Sequence, residues 1–309
     1  MSWYPIALPS QEGRRHLVTG ANSGLGFFTA ARLARAGAHV VLSGRSPERL
    51  DAAAAAIRGA GGSVDTLVMD QSSLESVAAG AERLLAGPLF DGVAANAGMV
   101  HPPRSRLQSV DGNELVLATN VLGHFALLGR LLPHLAVGAR IVSLGSLSSR
   151  LSTFRIDDLQ LERGYDGWRA YAQSKIATQA LGFELDRRLR ATGARVGSVV
   201  VHPGYSIGGR TPRVPGVHEP SRGKRFADAL QAPWAQGKQR GAEIVLHALT
   251  APDVEGGQFW GPRFLTRGEP TLQTPTRLST DPVIGSRVWR FAEEATGGPF
   301  EVRMTGADG

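Results

Sequence analysis

The sequence predicts an α/β protein with a doubly wound, seven-stranded parallel sheet and helices on both faces, in a single domain over residues 1–309. Three observations carry this. Short β-rich runs alternate with longer helical patterns, as in chains that cover a sheet on both sides. The strand runs are continuously apolar rather than alternating, as expected of strands buried on both faces. A glycine-rich turn, "TGANSGLG", stands between the first run and the first helical pattern.

In chain order the strands read as "HLVTG" (16–20), "HVVLSG" (39–44), "VDTLVMD" (64–70), "FDGVAANAG" (90–98), "ARIVSLGS" (139–146) and "ARVGSVVVHPG" (194–204), with a seventh near "GGQFWG" (256–261). Helical patterns cover 24–36, 47–59, 73–86, 112–133, about 168–192 and 239–250. The second starts with Ser46 as cap and Pro47 at the first helical position, where its missing N–H costs nothing. The segment 205–238 is rich in Gly, Pro and basic residues with weak periodicity, and the tail over 301–309 reads as loose. No internal repeat and no shift of composition divides the chain.

Composition narrows the function. There is no Cys, so neither a disulfide framework nor a thiolate metal site is available, and a reducing, cytoplasmic location fits. His101, His124 and His202 stand apart without metal-ligand spacing and read as packing or loop residues, so no metal is expected. The N-terminus lacks a basic region followed by an apolar one. The apolar stretch 115–136 is interrupted by Asn120, His124, Arg130 and Pro133, so a soluble protein without a membrane span is expected. The net charge of +7 is scattered along the chain with no basic helix, which favours anionic small molecules over nucleic acid.

The turn places Gly20, Gly24 and Gly26 after the first strand and at the opening of a helix. Such a turn lets the backbone approach a pyrophosphate while the helix N-terminus offers free N–H groups. The fold is therefore Rossmann-type. At the end of the second strand an NAD site would place a carboxylate near position 44, but here Gly44 is followed by Arg45. An arginine fork would clasp a 2′-phosphate that a carboxylate would repel, so NADP(H) is preferred over NAD(H); alternatively Arg45 caps a solvated loop. Asp70 can accept from an adenine amino group or make a plain turn.

The chain has 31 Arg and only 3 Lys, and one of those lysines stands in "YAQSK", four residues after Tyr171. With 4 Tyr and 3 Lys in 309 residues, Tyr-x-x-x-Lys arises by chance about 0.04 times. On a helix Tyr171 and Lys175 face the same way, and an ammonium beside a phenol lowers a pKa that is ordinarily ~10. Six motifs in order, Thr19-Gly20-x-x-x-Gly24-x-Gly26, Asn96-Ala97-Gly98, Asn120, Ser146, Tyr171-x-x-x-Lys175 and Pro203-Gly204, resemble the short-chain dehydrogenase/reductase superfamily over about 14–260. "TGANSGLGFFTA" and "YDGWRAYAQSK" are most similar to its retinol-dehydrogenase-like and related bacterial branch.

The resemblance implies catalytic roles for Asn120, Ser146, Tyr171 and Lys175. Tyr171 acts as acid/base, Ser146 orients the substrate oxygen, Lys175 also holds the nicotinamide ribose, and Asn120 holds a water of the proton relay. Spacing alone leaves Ser143, Ser148 and Ser149 beside Ser146 as alternatives, and a buried packing amide beside the relay role of Asn120. Implied cofactor contacts fall on Gly20, Asn22, Ser23, Gly24, Leu25, Gly26, Arg45, Asp70, Gln71, Asn96, Gly98, Tyr171, Lys175, Pro203, Gly204 and Ile207. Two departures stand out: Gly208 replaces the family's threonine near the carboxamide, leaving N–H groups near Ile207 or the Ser206 side chain to serve, and Gln71 replaces a leucine.

On the substrate side, 150–170 lengthens the gap between Ser146 and Tyr171, bringing Tyr165 and Trp168 either to the substrate or to their own surface packing. The segment 205–238 corresponds to the family's substrate lid; its Arg210, Arg213, Arg222, Lys224 and Arg225 read as contacts for an acidic substrate or as a solvated face. The expected activity is NADP(H)-dependent interconversion of an alcohol with a ketone or aldehyde. A non-catalytic nucleotide-sensing or interaction protein on the same fold would have fitted loss of Tyr171 or Ser146, and the spacing Gly20 to Gly26 argues against the epimerase and dehydratase branch. The resemblance also implies a homodimer or homotetramer.

Overall fold

The structure is a computed structural model and describes residues 7–302. Of the expected loose tail, 303–309 lies outside the described residues. Ten strands form among the described residues: β1 (Arg15–Thr19), β2 (His39–Gly44), β3 (Ser63–Val68), β4 (Phe90–Ala95), β5 (Leu135–Leu144), β6 (Gly197–Val201), β7 (Ser206–Ile207), β8 (Gln236–Gly237), β9 (Phe259–Pro262) and β10 (Pro270–Leu272). Eight build the main sheet in the order β10-β9-β6-β5-β4-β1-β2-β3, while β7 and β8 pair separately.

Seven of the eight are parallel, as expected of buried apolar runs, but the sheet does not end there. The eighth, β10, runs antiparallel to β9 with Leu272 opposite Trp260. The seven expected parallel strands are present, and β10 adds an antiparallel eighth at the sheet edge. Three residues carry no period of their own, and β10 becomes a strand only because the chain reverses after β9 through a turn with Leu265 at φ 61°.

The helices are α1 (Gly24–Arg35), α2 (Pro47–Gly59), α3 (Leu74–Leu85), α4 (Leu115–Leu117), α5 (Gly123–Leu131), α6 (Gly167–Ala191), α7 (Arg222–Ala229), α8 (Lys238–Thr250), α9 (Arg277–Thr280) and α10 (Pro282–Thr296). Ser46, Ser73, Asp166 and Ser221 cap α2, α3, α6 and α7 by accepting from a backbone N–H three residues on. One face of the sheet buries Phe27 and Leu33 of α1, Leu50 and Ile57 of α2, and Ile244 and Leu246 of α8. The other buries Val77 and Leu84 of α3, Phe125 and Leu131 of α5, Leu185 of α6, and Trp289 of α10.

The pattern over 112–133 becomes α4, a π turn (Ala118–Leu122), α5 and a 3-10 turn (Leu132–His134). By length and composition Leu115–His134 is apolar enough to cross a bilayer, yet most of it is buried inside the fold. It is a core helix of this sheet.

No periodicity pointed to α9 and α10, yet α10 closes the core. Trp289 is 1% exposed, with Phe125 edge-on at 4.9 Å and Phe300 at 4.8 Å between ring centroids. Its indole N–H donates to Glu293, whose same oxygen accepts from the Phe300 N–H, so the end of the described chain is fastened over α5. Trp289→Ala is expected to cost about 3–5 kcal/mol in urea unfolding. A loss below about 1 kcal/mol would show that α10 is dispensable to the core.

Strand order reverses between β1 and β4, and crevices at such points, beyond the carboxyl ends of the strands, are where open α/β sheets bind ligands. The glycine-rich turn leaves β1 there, and Asn96-Ala97-Gly98 leaves β4 beside it.

Candidate active site

The glycines of the turn are there for distinct reasons. Gly20 has φ 64°, and a Cβ on it would stand 2.8 Å from Ala97 Cα. A Cβ on Gly26 would meet Asn96 Nδ2 and the Gly20 carbonyl oxygen, each at 2.5 Å. Gly24, φ 62°, opens α1. Its N-cap Ser23 makes no side-chain capping bond, and no acidic residue lies in the first turn. The positive end of α1 is thus left to bind an anion.

Asn96 is committed to shaping this turn. Its Nδ2 donates to the Thr19 carbonyl at 2.7 Å and to that of Gly20 at 3.4 Å. The Asn96 and Ala97 N–H groups both donate to Thr19 Oγ1 at 2.9 Å. At the end of β2, a Cβ on Gly44 would lie 3.5 Å from Asn22 Oδ1, and Arg45 beyond it is exposed. Asp70 uses Oδ1 to accept from the N–H and hydroxyl of Ser72, at 2.9 and 2.8 Å, so the plain-turn role is realised. Gln71 is buried, with its side chain against Gly123 and neither amide atom paired among the described residues.

Tyr171, Lys175, Ser146, Asn120 and Gly98 come together where β4 and β5 end. Tyr171 and Lys175 lie one turn apart on α6, with Lys175 Nζ 5.9 Å from the Tyr171 ring centroid. A Cβ on Gly98 would stand 3.2 Å from Asn120 Oδ1 and 3.6 Å from Lys175 Nζ, so glycine keeps this space open. Ser146 hydrogen-bonds Tyr171. The neighbouring serines are placed otherwise: Ser149 Oγ donates to the Ser146 carbonyl at 2.7 Å and accepts from Gln179, while Ser143 and Ser148 are buried.

Protonation differs from the expectation that Lys175 lowers the phenol's pKa. Burial raises the Tyr171 pKa above its ordinary value, with the Ser146 hydrogen bond opposing. Burial also lowers Lys175 to about 8, and its ammonium donates to the Leu144 carbonyl at 2.7 Å rather than meeting the phenol oxygen. The phenol is therefore held in its acid form.

Asn120 lies within the π turn and bridges two elements. Its Oδ1 accepts from the Met99 N–H at 2.7 Å, and its Nδ2 donates to Ser174 Oγ at 2.9 Å. Its carbonyl oxygen faces His124 Nδ1 and Thr178 Oγ1, each at 3.3 Å. Behind it a cavity of about 30 Å³ is lined by His124, Phe125, Thr178, Trp289 and others.

Sequence reasoning set His124 aside as a packing residue, yet it links two parts of the site. Its Nε2 is 2.9 Å from Thr19 Oγ1. The same hydroxyl lies 3.2 Å from the Ala94 carbonyl, to which it can donate, and His124 Nδ1 faces the Asn120 carbonyl, so the ring is held between β1 and the π turn. Burial, with the charge of Lys175 adding to it, lowers the imidazole pKa to about 4, so the ring is neutral at pH 7. The one sequence signal was its position four residues after Asn120.

After β6, Gly204 has φ 67° and lies so close to the Thr266 carbonyl that a Cβ would come within 2.4 Å of its oxygen. The Pro203 carbonyl accepts from Ser206 Oγ and Gln236 Nε2, each at 2.9 Å. Ser206, one stand-in for the missing threonine, is thus turned toward its own loop, and Ile207 sits in β7 opposite Gly237. Within 205–238, Lys224 pairs with Asp228 at 3.0 Å and Arg213 with Glu219 at 3.4 Å. Trp168 is exposed with its ring centroid 6.3 Å from that of Tyr171, whereas Tyr165 donates to the Pro103 carbonyl and packs against the cluster of Val116, Leu161 and Ala170.

The family model for short chain dehydrogenases matches residues 14–208. Polyprenol dehydrogenase from Mus musculus is 34% identical over 320 residues, covering 99% of this chain and 88% of its own length. Retinol dehydrogenase 14 from Mus musculus is 34% identical over 81% of this chain and 78% of its own. A crystal structure of an uncharacterized protein from Mycobacterium paratuberculosis superposes with a TM-score of 0.79 at 33% identity, over 97% of this chain and 100% of that one.

Proposed function

The chain belongs to the short chain dehydrogenase family, as a retinol-dehydrogenase-like oxidoreductase, and from that premise we propose that it is NADP(H)-dependent and interconverts an apolar alcohol with its aldehyde or ketone. The observation that carries this is the convergence of Tyr171, Ser146, Lys175 and Asn120 around the space that Gly98 keeps open, at the crevice that holds the glycine-rich turn.

The residues fit a dinucleotide. Gly20 and Gly26 form a cradle that side chains would fill, and the N-terminus of α1 is open to phosphate. At the other end stand Lys175 and Asn120 beside Gly98, and Pro203 and Ile207 follow β6 in the chain. When bound, the nicotinamide supplies the hydride. Tyr171, kept protonated by burial, gives its proton to the substrate oxygen, and Ser146 donates to that oxygen as charge develops on it. Lys175 and Asn120 complete the relay that returns a proton to Tyr171, and the reverse oxidation needs the phenolate form that burial disfavours.

Two features support an apolar substrate. Val100, Leu151 and Trp168, which follow Gly98, Ser146 and Gly167 in the chain, are large and exposed, as are Phe226, Leu230 and Trp234 in the lid region. The lid's Lys224 and Arg213 are already paired with carboxylates, which leaves the acidic-substrate reading weaker.

The preference for NADP(H) rests on Arg45 and on the lack of a carboxylate at Gly44. Side-by-side thermal-shift titrations should show stabilisation by NADPH at much lower concentration than by NADH. Arg45→Leu should weaken NADPH by about ten- to a hundredfold, the worth of a charged hydrogen-bonded contact, and leave NADH unchanged. Equal affinity of the parent protein for both cofactors would refute the preference.

A further inference from the structure

We infer that Lys238 is a binding residue for the diphosphate bridge of the cofactor, reaching it from α8 at the far end of the chain. This rests on the dinucleotide reading of the glycine-rich turn and adds a residue that no motif marks.

Lys238 is the first residue of α8, and its backbone N–H donates to Thr211 Oγ1 at 2.9 Å, which fixes where its side chain starts. That side chain lies over the turn. A Cβ built on Gly24 would be 3.5 Å from both Lys238 Cδ and Lys238 Nζ. Gly24 begins α1, a helix of 12 residues whose first turn has no acidic side chain and whose N-cap makes no side-chain bond. An ammonium over the positive end of a helix is repelled by it. The arrangement becomes favourable when an anion sits between the two, touching the N–H groups below and the ammonium above.

The surroundings sharpen the same point. Lys238 is half-buried, and burial lowers its pKa, as do Lys224 and Arg49, with Asp228 opposing. Asp228 already pairs with Lys224 at 3.0 Å and accepts from the Gly209 N–H at 2.6 Å. Lys224 and Lys238 thus share the one carboxylate of Asp228, while Arg49 of α2 adds a further positive charge acting on Lys238. A diphosphate supplies the missing negative charge, and it is the part of the ligand common to NADP(H) and NAD(H). Arg45, which ends β2, serves the 2′-phosphate instead.

The two roles separate in calorimetric or thermal-shift titrations of Lys238→Met, Lys238→Arg and Arg45→Leu with NADPH, NADH and ADP-ribose. Lys238→Met should weaken all three ligands by a similar factor, about tenfold. Lys238→Arg should keep most of the affinity. The unliganded melting temperature of either variant should match the parent, because the side chain is only half-buried; should Lys238→Met not fold, Lys238→Gln takes its place. Unchanged affinity for NADH and ADP-ribose, or a loss confined to NADPH, would overturn the assignment. In contrast, loss of NADPH preference in the Arg45 variant with no effect of Lys238 would leave the functional reading standing without it. A parent protein that binds neither cofactor would overturn both.

Discussion

Tyr171→Phe is expected to reduce turnover by about three orders of magnitude while leaving stability unchanged and weakening NADPH binding far less than turnover. A positioned general acid contributes roughly 10²–10⁴-fold, and no neighbouring group can replace the phenol. Ser146 Oγ is an unactivated hydroxyl that accepts from the Ser148 N–H at 3.2 Å. Lys175 donates to the Leu144 carbonyl, and neutral His124 faces Thr19 and Asn120. Phenylalanine keeps the ring beside Trp168 and removes only the oxygen. Because burial raises the phenol pKa, the acid form persists through neutral pH, and reduction should fall only above the ordinary phenol range. Steady-state kinetics with an apolar aldehyde and NADPH measure the loss, and a thermal shift with NADPH checks the binding. A variant retaining more than about a tenth of parental turnover would mean that another group gives the proton.

What could be read from the sequence was what the local chain fixes. Gly20 and Gly24 take positive φ at a tight turn, and the cap at Ser46 with Pro47 sets the start of α2 from within a few residues. Tyr171 and Lys175 share a helix face whatever surrounds them. What escaped depends on the rest of the molecule. β10 is a strand only when β9 is beside it, and α10 has its place because Trp289 finds Phe125 and Phe300. The direction of the Tyr171 shift was misjudged because charge was weighed and burial was not visible. Asn96 proved to be a brace for the turn, since only the fold brings it against the Thr19 and Gly20 carbonyls. Lysine scarcity singled out Lys175 in a chain rich in arginine. The same signal applied to Lys238, but no neighbouring motif gave it meaning until α8 was seen lying over Gly24.

Lys175→Met is expected to lower turnover by about two to four orders of magnitude without lowering stability at pH 7. Lys175 is 6% exposed, and burial brings its pKa from 10.5 to about 8. Below pH 8 both the folded and the unfolded chain hold the proton, and the folded state bears the full cost of the buried charge, about 3 kcal/mol. Between pH 8 and about 10.5 the unfolded chain binds the extra proton, so the parent's stability rises with pH relative to the variant. Methionine removes that cost but leaves the Leu144 carbonyl without its donor, which costs about 1–3 kcal/mol. The two changes roughly cancel at pH 7, and the balance shifts toward the parent as the pH rises. Melting temperatures of both proteins from pH 6 to pH 10 measure the difference, in which titrations common to both drop out. A variant much less stable at pH 7, with a gap independent of pH, would show that Lys175 is a structural hydrogen-bond donor whose charge costs the fold nothing. The expected outcome ties its place to chemistry, since a buried cation is kept where a neutral side chain of similar length would fold as well.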